Sequence, residues 1–185
     1  MGKEKERRFI VLNIPDMPRT DNSLIEQIYI ECSLKGNVLN IRGETVHAPS
    51  HFRLLNDTVR LRMIDKSRIE INSKSGEGFE REEYEFTCRS PALACIIEDD
   101  ERRLIKRRYF LSGSTVLDNF TNRYNGLYVL EIEFNDENKP PVPDWAGPEI
   151  TDDRTLSNYN MYVSDSNEIW KHIRGLTDDN TDTQA

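Results

Sequence analysis

Apolar and charged residues alternate in several short runs along the chain, and the clearest run spans residues 126–134. Leu130 and Ile132 hold alternate positions in this run, and Glu131 and Glu133 hold the positions beside them. Because successive side chains of a β-strand point to opposite faces, the run predicts a strand with one apolar face and one face that carries two carboxylates. Only one face of this strand is expected to pack on a hydrophobic core.

Six other predicted strands carry charged residues on alternate positions, and some of them carry pairs of a single sign. With the first run, the charged positions are Glu4/Glu6/Arg8, Arg60/Arg62, Glu70/Lys74, Arg81/Glu83/Glu85, Lys106/Arg108, Asp118 and Glu131/Glu133. Any single antiparallel strand with one face in water shows such alternation without a function. The whole set is more informative, because arginine pairs and glutamate pairs dominate positions where a solvated sheet usually mixes serine, threonine, glutamine and lysine.

If these strands close into a barrel with the charged faces inward, the lumen holds several cations and several carboxylates. Unpaired buried charges cost several kcal/mol each, so such a lumen must be filled by water, ions or a highly charged ligand. Clustered carboxylates supply the oxygen ligands that Mg²⁺ and Mn²⁺ prefer, and arginine and lysine bind phosphate oxygens. The pattern therefore predicts a polyanion that is bound through a divalent metal.

Helices are predicted from their end signals. Ser90 followed by Pro91 is typical of a helix start, and another helix is predicted from Ser164 to Arg174, ended by Gly175. Thr151-Asp152-Asp153 is also a helix start, and the helices after Ser90 and Thr151 are expected to cover the apolar face of the 126–134 strand. Residues 177–185 are acidic and polar and are expected to form a disordered tail.

Composition narrows the class of protein. The chain has 185 residues, a formal net charge of -8 and three cysteines, Cys32, Cys88 and Cys95, without C-x-x-C spacing. One domain over residues 1–176 is expected, and the charge argues against nucleic-acid binding. The cysteines favour a reducing cytoplasm, and the absence of a long apolar run argues against a membrane span. The three histidines, His47, His51 and His172, lack ligand spacing and receive no role.

The ordered motifs resemble the CYTH domain of the triphosphate tunnel metalloenzyme superfamily from Glu4 to about residue 160. The resemblance rests on Glu4-Lys5-Glu6-Arg7-Arg8, Arg60-Leu61-Arg62, Lys74, Arg81-Glu82-Glu83-Tyr84-Glu85, Lys106-Arg107-Arg108-Tyr109, Leu117-Asp118-Asn119-Phe120, residues 126–134 and residues 145–158. One Glu-x-Glu carries no weight, but the ordered series is specific.

This resemblance implies an α+β fold, a closed or nearly closed antiparallel β-barrel of about eight strands with helices packed outside and a tunnel for a triphosphate group. It implies metal binding by Glu4, Glu6, Glu131 and Glu133, which with Arg8 form the expected catalytic set. It implies phosphate binding by Arg8, Arg60, Arg62, Lys74, Lys106 and Arg108. Glu83, Glu85 and Asp118 match further acids that bind a second metal or orient water.

Three departures from the family pattern bear on function. Arg8 replaces a lysine, and a planar guanidinium binds phosphate differently from an ammonium. Asn122 replaces a glycine, and residues 32–51 resemble an insertion, so either change could reshape one tunnel mouth.

The leading interpretation is metal-dependent hydrolysis of a triphosphate, with inorganic tripolyphosphate as the first candidate and Mg²⁺ or Mn²⁺ as cofactor. Two alternatives stay open: a class IV-like adenylate cyclase that makes cyclic AMP from ATP, and a protein that binds polyphosphate or an organic triphosphate without turnover. The expected partner is a small molecule that contains a triphosphate, with neither nucleic acid nor membrane, and a homodimer is a further possibility.

Overall fold

The computed structural model describes residues 5–14, 21–75, 82–134 and 141–181 of the chain. Glu4 and Arg81, both named from the sequence, lie outside these ranges. The strands are β1 Lys5–Ile10, β2 Asn22–Lys35, β3 Val38–Ile41, β4 Glu44–His47, β5 Thr58–Ile64, β6 Arg68–Ser75, β7 Glu82–Cys88, β8 Leu104–Phe110, β9 Thr115–Thr121 and β10 Tyr128–Phe134. The helices are α1 Pro91–Glu98, α2 Asn158–Val163 and α3 Ser166–Thr181, with 3₁₀ turns at Asn122–Tyr124 and Arg154–Leu156. This antiparallel, sheet-rich α+β architecture confirms the coarse fold prediction.

The chain divides into two compact units. Unit 1 combines residues Met1–Ser23 and Leu104–Ala185, and unit 2 is Leu24–Arg103. The single domain over residues 1–176 stays a prediction.

Unit 1 contains four antiparallel strands in the order β1-β10-β9-β8. Facing pairs across these strands are Glu6–Glu133, Arg8–Glu131 and Arg108–Asp118. Directly opposed residues of antiparallel strands project to the same face, so these charged side chains share one side of the sheet.

The other face of unit 1 is apolar. Its buried cluster consists of Phe9, Val11, Leu117, Leu130 and Ile132. Val142, Trp145 and Ala146, which lie in a loop, pack on this cluster. The sequence analysis expected the helices after Ser90 and Thr151 to cover this face of the 126–134 strand. A proline-rich loop can bury the Trp145 ring here without forming a helix.

Gly147 allows this covering segment to approach β1. A Cβ added to Gly147 would lie 2.6 Å from the Ile10 carbonyl oxygen, which accepts a 2.8 Å hydrogen bond from the Gly147 amide. The Ile10 amide in turn donates to the Pro148 oxygen at 2.9 Å. Only glycine fits this contact, and the contact fixes the loop along the edge of β1.

Unit 2 contains the strand order β2-β5-β6-β7, and β3 and β4 form a hairpin on the end of β2. The apolar face buries Ile28, Leu61 and Ile71, each with 0% exposure. Its opposite face carries the charged residues of β5, β6 and β7.

Residues 32–51, where the sequence pattern was weak, form the end of β2 and the β3–β4 hairpin. Leu39 and Ile41 are fully buried, and Gly36 and Gly43 supply the positive φ values of the two turns, 60° and 88°. The segment is therefore folded, and its description as an insertion stays a prediction.

The short helix after Ser90 is confirmed, since the Ser90 Oγ accepts a hydrogen bond from the Leu93 amide at 3.3 Å. The predicted helix end at Gly175 is wrong, because α3 continues through Gly175 to Thr181. Residues 177–181 belong to α3, residues 182–185 lie outside the described ranges, and the disordered tail over 177–185 stays a prediction. Glycine in a helix interior costs only about 1 kcal/mol relative to alanine, and the buried side chains of Ile169 and Ile173 hold the helix on its unit.

None of the helices in the described ranges has the length and apolarity that crossing a lipid bilayer requires.

Candidate active site

One face of the unit 1 sheet carries seven charged residues, which we call the first charged face. They are Glu6 and Arg8 on β1, Lys106 and Arg108 on β8, Asp118 on β9, and Glu131 and Glu133 on β10. All seven were predicted as site residues, and the structure brings them together on four adjacent strands. Glu4, which completes the predicted set, lies outside the described residues.

Asp118 joins two cations in the middle of this face. The Asp118 and Lys106 side chains are both 0% exposed, and Lys106 Nζ lies 2.5 Å from Asp118 Oδ2. Arg108 donates from Nε to Asp118 Oδ1 and from Nη2 to Asp118 Oδ2, each at 2.7 Å. Such a fork fixes the guanidinium plane.

Arg108 also binds a second carboxylate, because its Nη2 donates to Glu131 Oε2. Burial by itself would lower the pKa of Arg108, but the hydrogen bond with Asp118 and the negative charge of Glu131 outweigh it and raise that pKa. Arg108 is therefore a permanent cation that two carboxylates orient.

Arg8 is positioned by the chain beyond residue 150. Its Nη2 donates to the Leu156 carbonyl oxygen at 3.1 Å, and its backbone amide donates to Thr151 Oγ1 at 3.1 Å. Its Nε lies 3.4 Å from Glu6 Oε1 and 3.6 Å from Glu131 Oε1. The 3₁₀ turn at Arg154–Leu156 thus sets where the Arg8 guanidinium lies.

The glutamates of this face stand close enough to affect one another. Loss of hydration beside the sheet raises the pKa of Glu6, the negative charges of Glu131 and Glu133 add to the shift, and Arg8 opposes it. The three carboxylates therefore carry more negative charge than the neighbouring cations balance, and their oxygen donors fit Mg²⁺ or Mn²⁺. Within the described ranges, no three His, Cys, Asp or Glu side chains are already arranged around one metal position. The predicted metal set includes Glu4, so that arrangement is not tested.

The second charged face lies on unit 2. It consists of Arg60 and Arg62 on β5, Glu70, Asn72 and Lys74 on β6, and Glu83 and Glu85 on β7. The ion pairs are Arg60–Glu85 at 3.5 Å, Arg62–Glu70 at 3.4 Å and Lys74–Glu83 at 2.8 Å. The structure therefore brings together the five residues predicted here, Arg60, Arg62, Lys74, Glu83 and Glu85.

The cations of this face influence the charge of their neighbours. Burial lowers the pKa of Lys74, and the positive charge of Arg60 lowers it further. Burial alone would raise the pKa of Glu83, but the hydrogen bond and charge of Lys74 outweigh it and lower that pKa. Glu83 is consequently an anion at neutral pH.

Three buried polar atoms on the same side of the unit 2 sheet find no hydrogen-bond partner among the described residues. They are Arg60 Nε, Asn72 Oδ1 and Gln27 Oε1. A buried polar atom without a partner costs about 1–3 kcal/mol, so these atoms indicate that water or a ligand completes this surface.

The sequence interpretation gave no role to Gln27, Glu70 or Asn72. All three have 9% exposure or less, and Gln27 stands opposite Arg62 while Asn72 stands opposite Arg60. In the sequence, these residues show only that they occupy the same alternate positions as the charged residues of predicted strands. An amide at such a position, as in Gln27 and Asn72, resembles an ordinary solvated residue.

Comparisons with known proteins find a curated relative and several solved structures. No family model matches the chain. An inorganic triphosphatase of Acetivibrio thermocellus is 29% identical over 167 residues, which cover 87% of this chain and 94% of that protein. The crystal structure of the inorganic triphosphatase NE1496 matches 89% of this chain and 97% of its own, with 20% identity and a TM-score of 0.56. A crystal structure described as the hypothetical protein NE1496 matches with 23% identity and a TM-score of 0.57, over 87% of this chain and 98% of its own.

The relative and the structures match nearly their full lengths, and the described charged residues of the motif series lie on the two charged faces. The chain is therefore similar to an inorganic triphosphatase over most of its length and has the fold of the NE1496 structures.

Arg8, which stands where the CYTH pattern has lysine, makes a contact with the chain beyond residue 150. Where the family pattern has lysine, the longer, forked guanidinium of Arg8 reaches the Leu156 carbonyl oxygen. An ammonium group offers no such planar fork, so the contact ties β1 to the 3₁₀ turn in a manner that depends on arginine.

Proposed function

We propose that this protein is a member of the CYTH superfamily and a divalent-metal-dependent triphosphatase whose substrate is inorganic tripolyphosphate. The observation that carries the proposal is the first charged face, on which three cations and four carboxylates occupy one side of four adjacent strands. The similarity to an inorganic triphosphatase over 87% of the chain supports the choice of substrate.

Cations on both charged faces bind phosphate oxygens in this proposal. Arg8, Arg60, Arg62, Lys74, Lys106 and Arg108 make up the phosphate-binding set. Arg108 and Lys106 keep Asp118 as their common anchor, and this fixes their direction before substrate arrives. Donors that are already oriented lose little reorganisation free energy when charge develops on the transferred phosphoryl group.

Glu4, Glu6, Glu131 and Glu133 would hold the metal. Bound Mg²⁺ or Mn²⁺ neutralises phosphate charge and activates water for attack on phosphorus. Burial raises the pKa of Glu6, and repulsion by Glu131 and Glu133 adds to the shift; a bound cation would relieve that repulsion, which supports this assignment. Glu83, Glu85 and Asp118 stay candidates for a second metal or for orienting water, although in this structure Asp118 is already committed to two cations.

The finer architecture is part of the same proposal. It includes a closed or nearly closed antiparallel barrel, which the resemblance to the CYTH domain implies. A cytoplasmic location and a homodimer stay predictions.

The test is a substrate panel on the purified chain with Mg²⁺ or Mn²⁺. We expect phosphate release from tripolyphosphate to exceed release from ATP and pyrophosphate by at least about tenfold in kcat/KM, a difference of about 1.4 kcal/mol. A folded protein that releases no phosphate from tripolyphosphate with either metal contradicts the proposal.

The same panel separates the alternatives. Cyclic AMP formed from ATP would assign the protein to adenylate cyclases. Calorimetric binding of tripolyphosphate without turnover would make it a binding protein.

A further inference from the structure

Asn72 is the one uncharged member of the second charged face. It lies on β6 with 1% exposure, opposite Arg60 on β5 and Glu85 on β7. Its Nδ2 donates to Glu83 Oε1 and, at 3.3 Å, to Glu85 Oε2. A single amide therefore holds both of the glutamates that β7 contributes to this face, Glu83 and Glu85.

The same two glutamates neutralise two cations. Glu83 Oε2 lies 2.8 Å from Lys74 Nζ, and Glu85 Oε2 lies 3.5 Å from Arg60 Nη2. The glutamate side chains are 40% and 39% exposed, so solvent and an incoming anion can reach them. Ion pairs at this exposure contribute roughly 0–1 kcal/mol, so exchanging a carboxylate for a phosphate oxygen costs little.

Two buried polar atoms of the second charged face indicate that a water molecule or a ligand atom binds beside them. Arg60 Nε is a buried donor and Asn72 Oδ1 a buried acceptor, and neither finds a partner among the described residues. The two residues are direct cross-strand neighbours, so both atoms belong to the same part of the second charged face. A water molecule or a protonated phosphate oxygen can accept from Arg60 and donate to Asn72.

We propose that Asn72 is a positioning residue. Its amide holds Glu83 and Glu85 where they pair with Lys74 and Arg60, and substrate phosphate then replaces the two carboxylates as the partner of these cations. The proposal rests on the proposed function, since the incoming anion is the triphosphate.

The amide has a specific task in this exchange. When phosphate takes Arg60 and Lys74, the two carboxylates lose their cations but keep the Asn72 N–H groups as donors. Without that amide they must either keep the cations or remain as anions with fewer donors, and both choices weaken phosphate binding. Burial lowers the pKa of Lys74 and the positive charge of Arg60 lowers it further, which fits a site that an additional anion completes.

The test is a double-mutant cycle on the full-length protein with tripolyphosphate and Mg²⁺. We expect Asn72→Ala to raise KM by about tenfold and to lower kcat by less than about threefold. In a Glu83→Gln/Glu85→Gln background the same change should alter KM by less than about twofold, because Asn72 acts through the two carboxylates. Asn72→Asp keeps the size and removes the donor, so it repeats the measurement if Asn72→Ala fails to fold.

Asn40→Asp on β3 is the matched control. The Asn40 side chain accepts from the Gly43 amide at 3.2 Å, a role that a carboxylate also fills, so KM should be unchanged.

Two results overturn the proposal while leaving the proposed function intact: an unchanged KM in Asn72→Ala, or an equal KM increase in both backgrounds. If the wild type does not turn over tripolyphosphate, the proposed function fails, and the same cycle is then measured as the calorimetric Kd. Equal Kd values for wild type and Asn72→Ala, or no binding at all, also overturn the proposal.

Discussion

Asp118 is the residue on which the cations of the first charged face depend most. It is fully buried and has two cationic partners, Lys106 and Arg108. Removing one partner of a buried ion pair costs more than the pair itself contributes, because the remaining charge is left without compensation in a poorly solvated position.

We therefore expect Asp118→Ala to lower the free energy of unfolding by about 3–5 kcal/mol, measured by urea denaturation. The control is Glu98→Ala, which removes an ion pair with Lys66 in which both side chains are nearly half exposed, at 49% and 45%. Its cost should stay below about 1 kcal/mol. Equal costs for the two variants would show that the Asp118 pairs are not buried as described.

Glu6 differs from Asp118, because burial and the neighbouring carboxylates disfavour its negative charge. Its pKa is raised, so in the metal-free protein its ionisation destabilises the fold. This cost is absent below the pKa of an unfolded glutamate and grows as the pH rises through the higher folded pKa.

Glu6→Gln should consequently raise the melting temperature of the metal-free protein at pH 7, with a smaller gain at pH 4. The same variant should lower metal-dependent turnover by more than about tenfold. Differential scanning calorimetry with chelator and a phosphate-release assay measure the two effects. A lower melting temperature at pH 7 would mean that Glu6 is well compensated without a metal.

At the scale of elements, strand periodicity explains why the polar faces were predictable from the sequence. A period of two places Arg60 with Arg62 and Glu131 with Glu133, whatever the tertiary structure. The same argument could not assign roles to Gln27 or Asn72, whose importance comes from cross-strand neighbours that only the register reveals. It also failed at Gly175, because glycine is permitted at a helix end and within a helix, and packing decides between the two.

Helix α3 supplies a test of that correction. An added Cβ at Gly175 meets nothing within 4 Å, so Gly175→Ala should increase stability by about 0.5–1 kcal/mol. Gly126→Ala is the comparison, because Gly126 has a φ of 93° and a side chain there is strained. It should decrease stability by about 1 kcal/mol or more. A loss of stability in Gly175→Ala would support a helix end at that residue.

At the scale of the whole molecule, the motif series predicted the superfamily and a triphosphate substrate. The antiparallel α+β fold followed from the same series, since alternation over short runs is typical of strands. Closure into a barrel could not be derived, because it depends on strand tilt and stagger, which no single strand encodes. The proposed metal ligands are also far apart in the sequence. Glu4, which lies outside the described residues, and Glu6 are near its start, whereas Glu131 and Glu133 lie on β10.

The central claim is that the first charged face performs metal-dependent triphosphate hydrolysis. The most direct measurement is phosphate release from tripolyphosphate, with Mg²⁺ or Mn²⁺ and with chelator, for wild type, Glu131→Gln and the surface control Glu98→Gln. We predict release by wild type and Glu98→Gln that requires metal, and a loss of more than about 100-fold in Glu131→Gln with the fold intact by circular dichroism. Equal metal-dependent release by Glu131→Gln and wild type, or no release by folded wild type with either metal, would contradict the account.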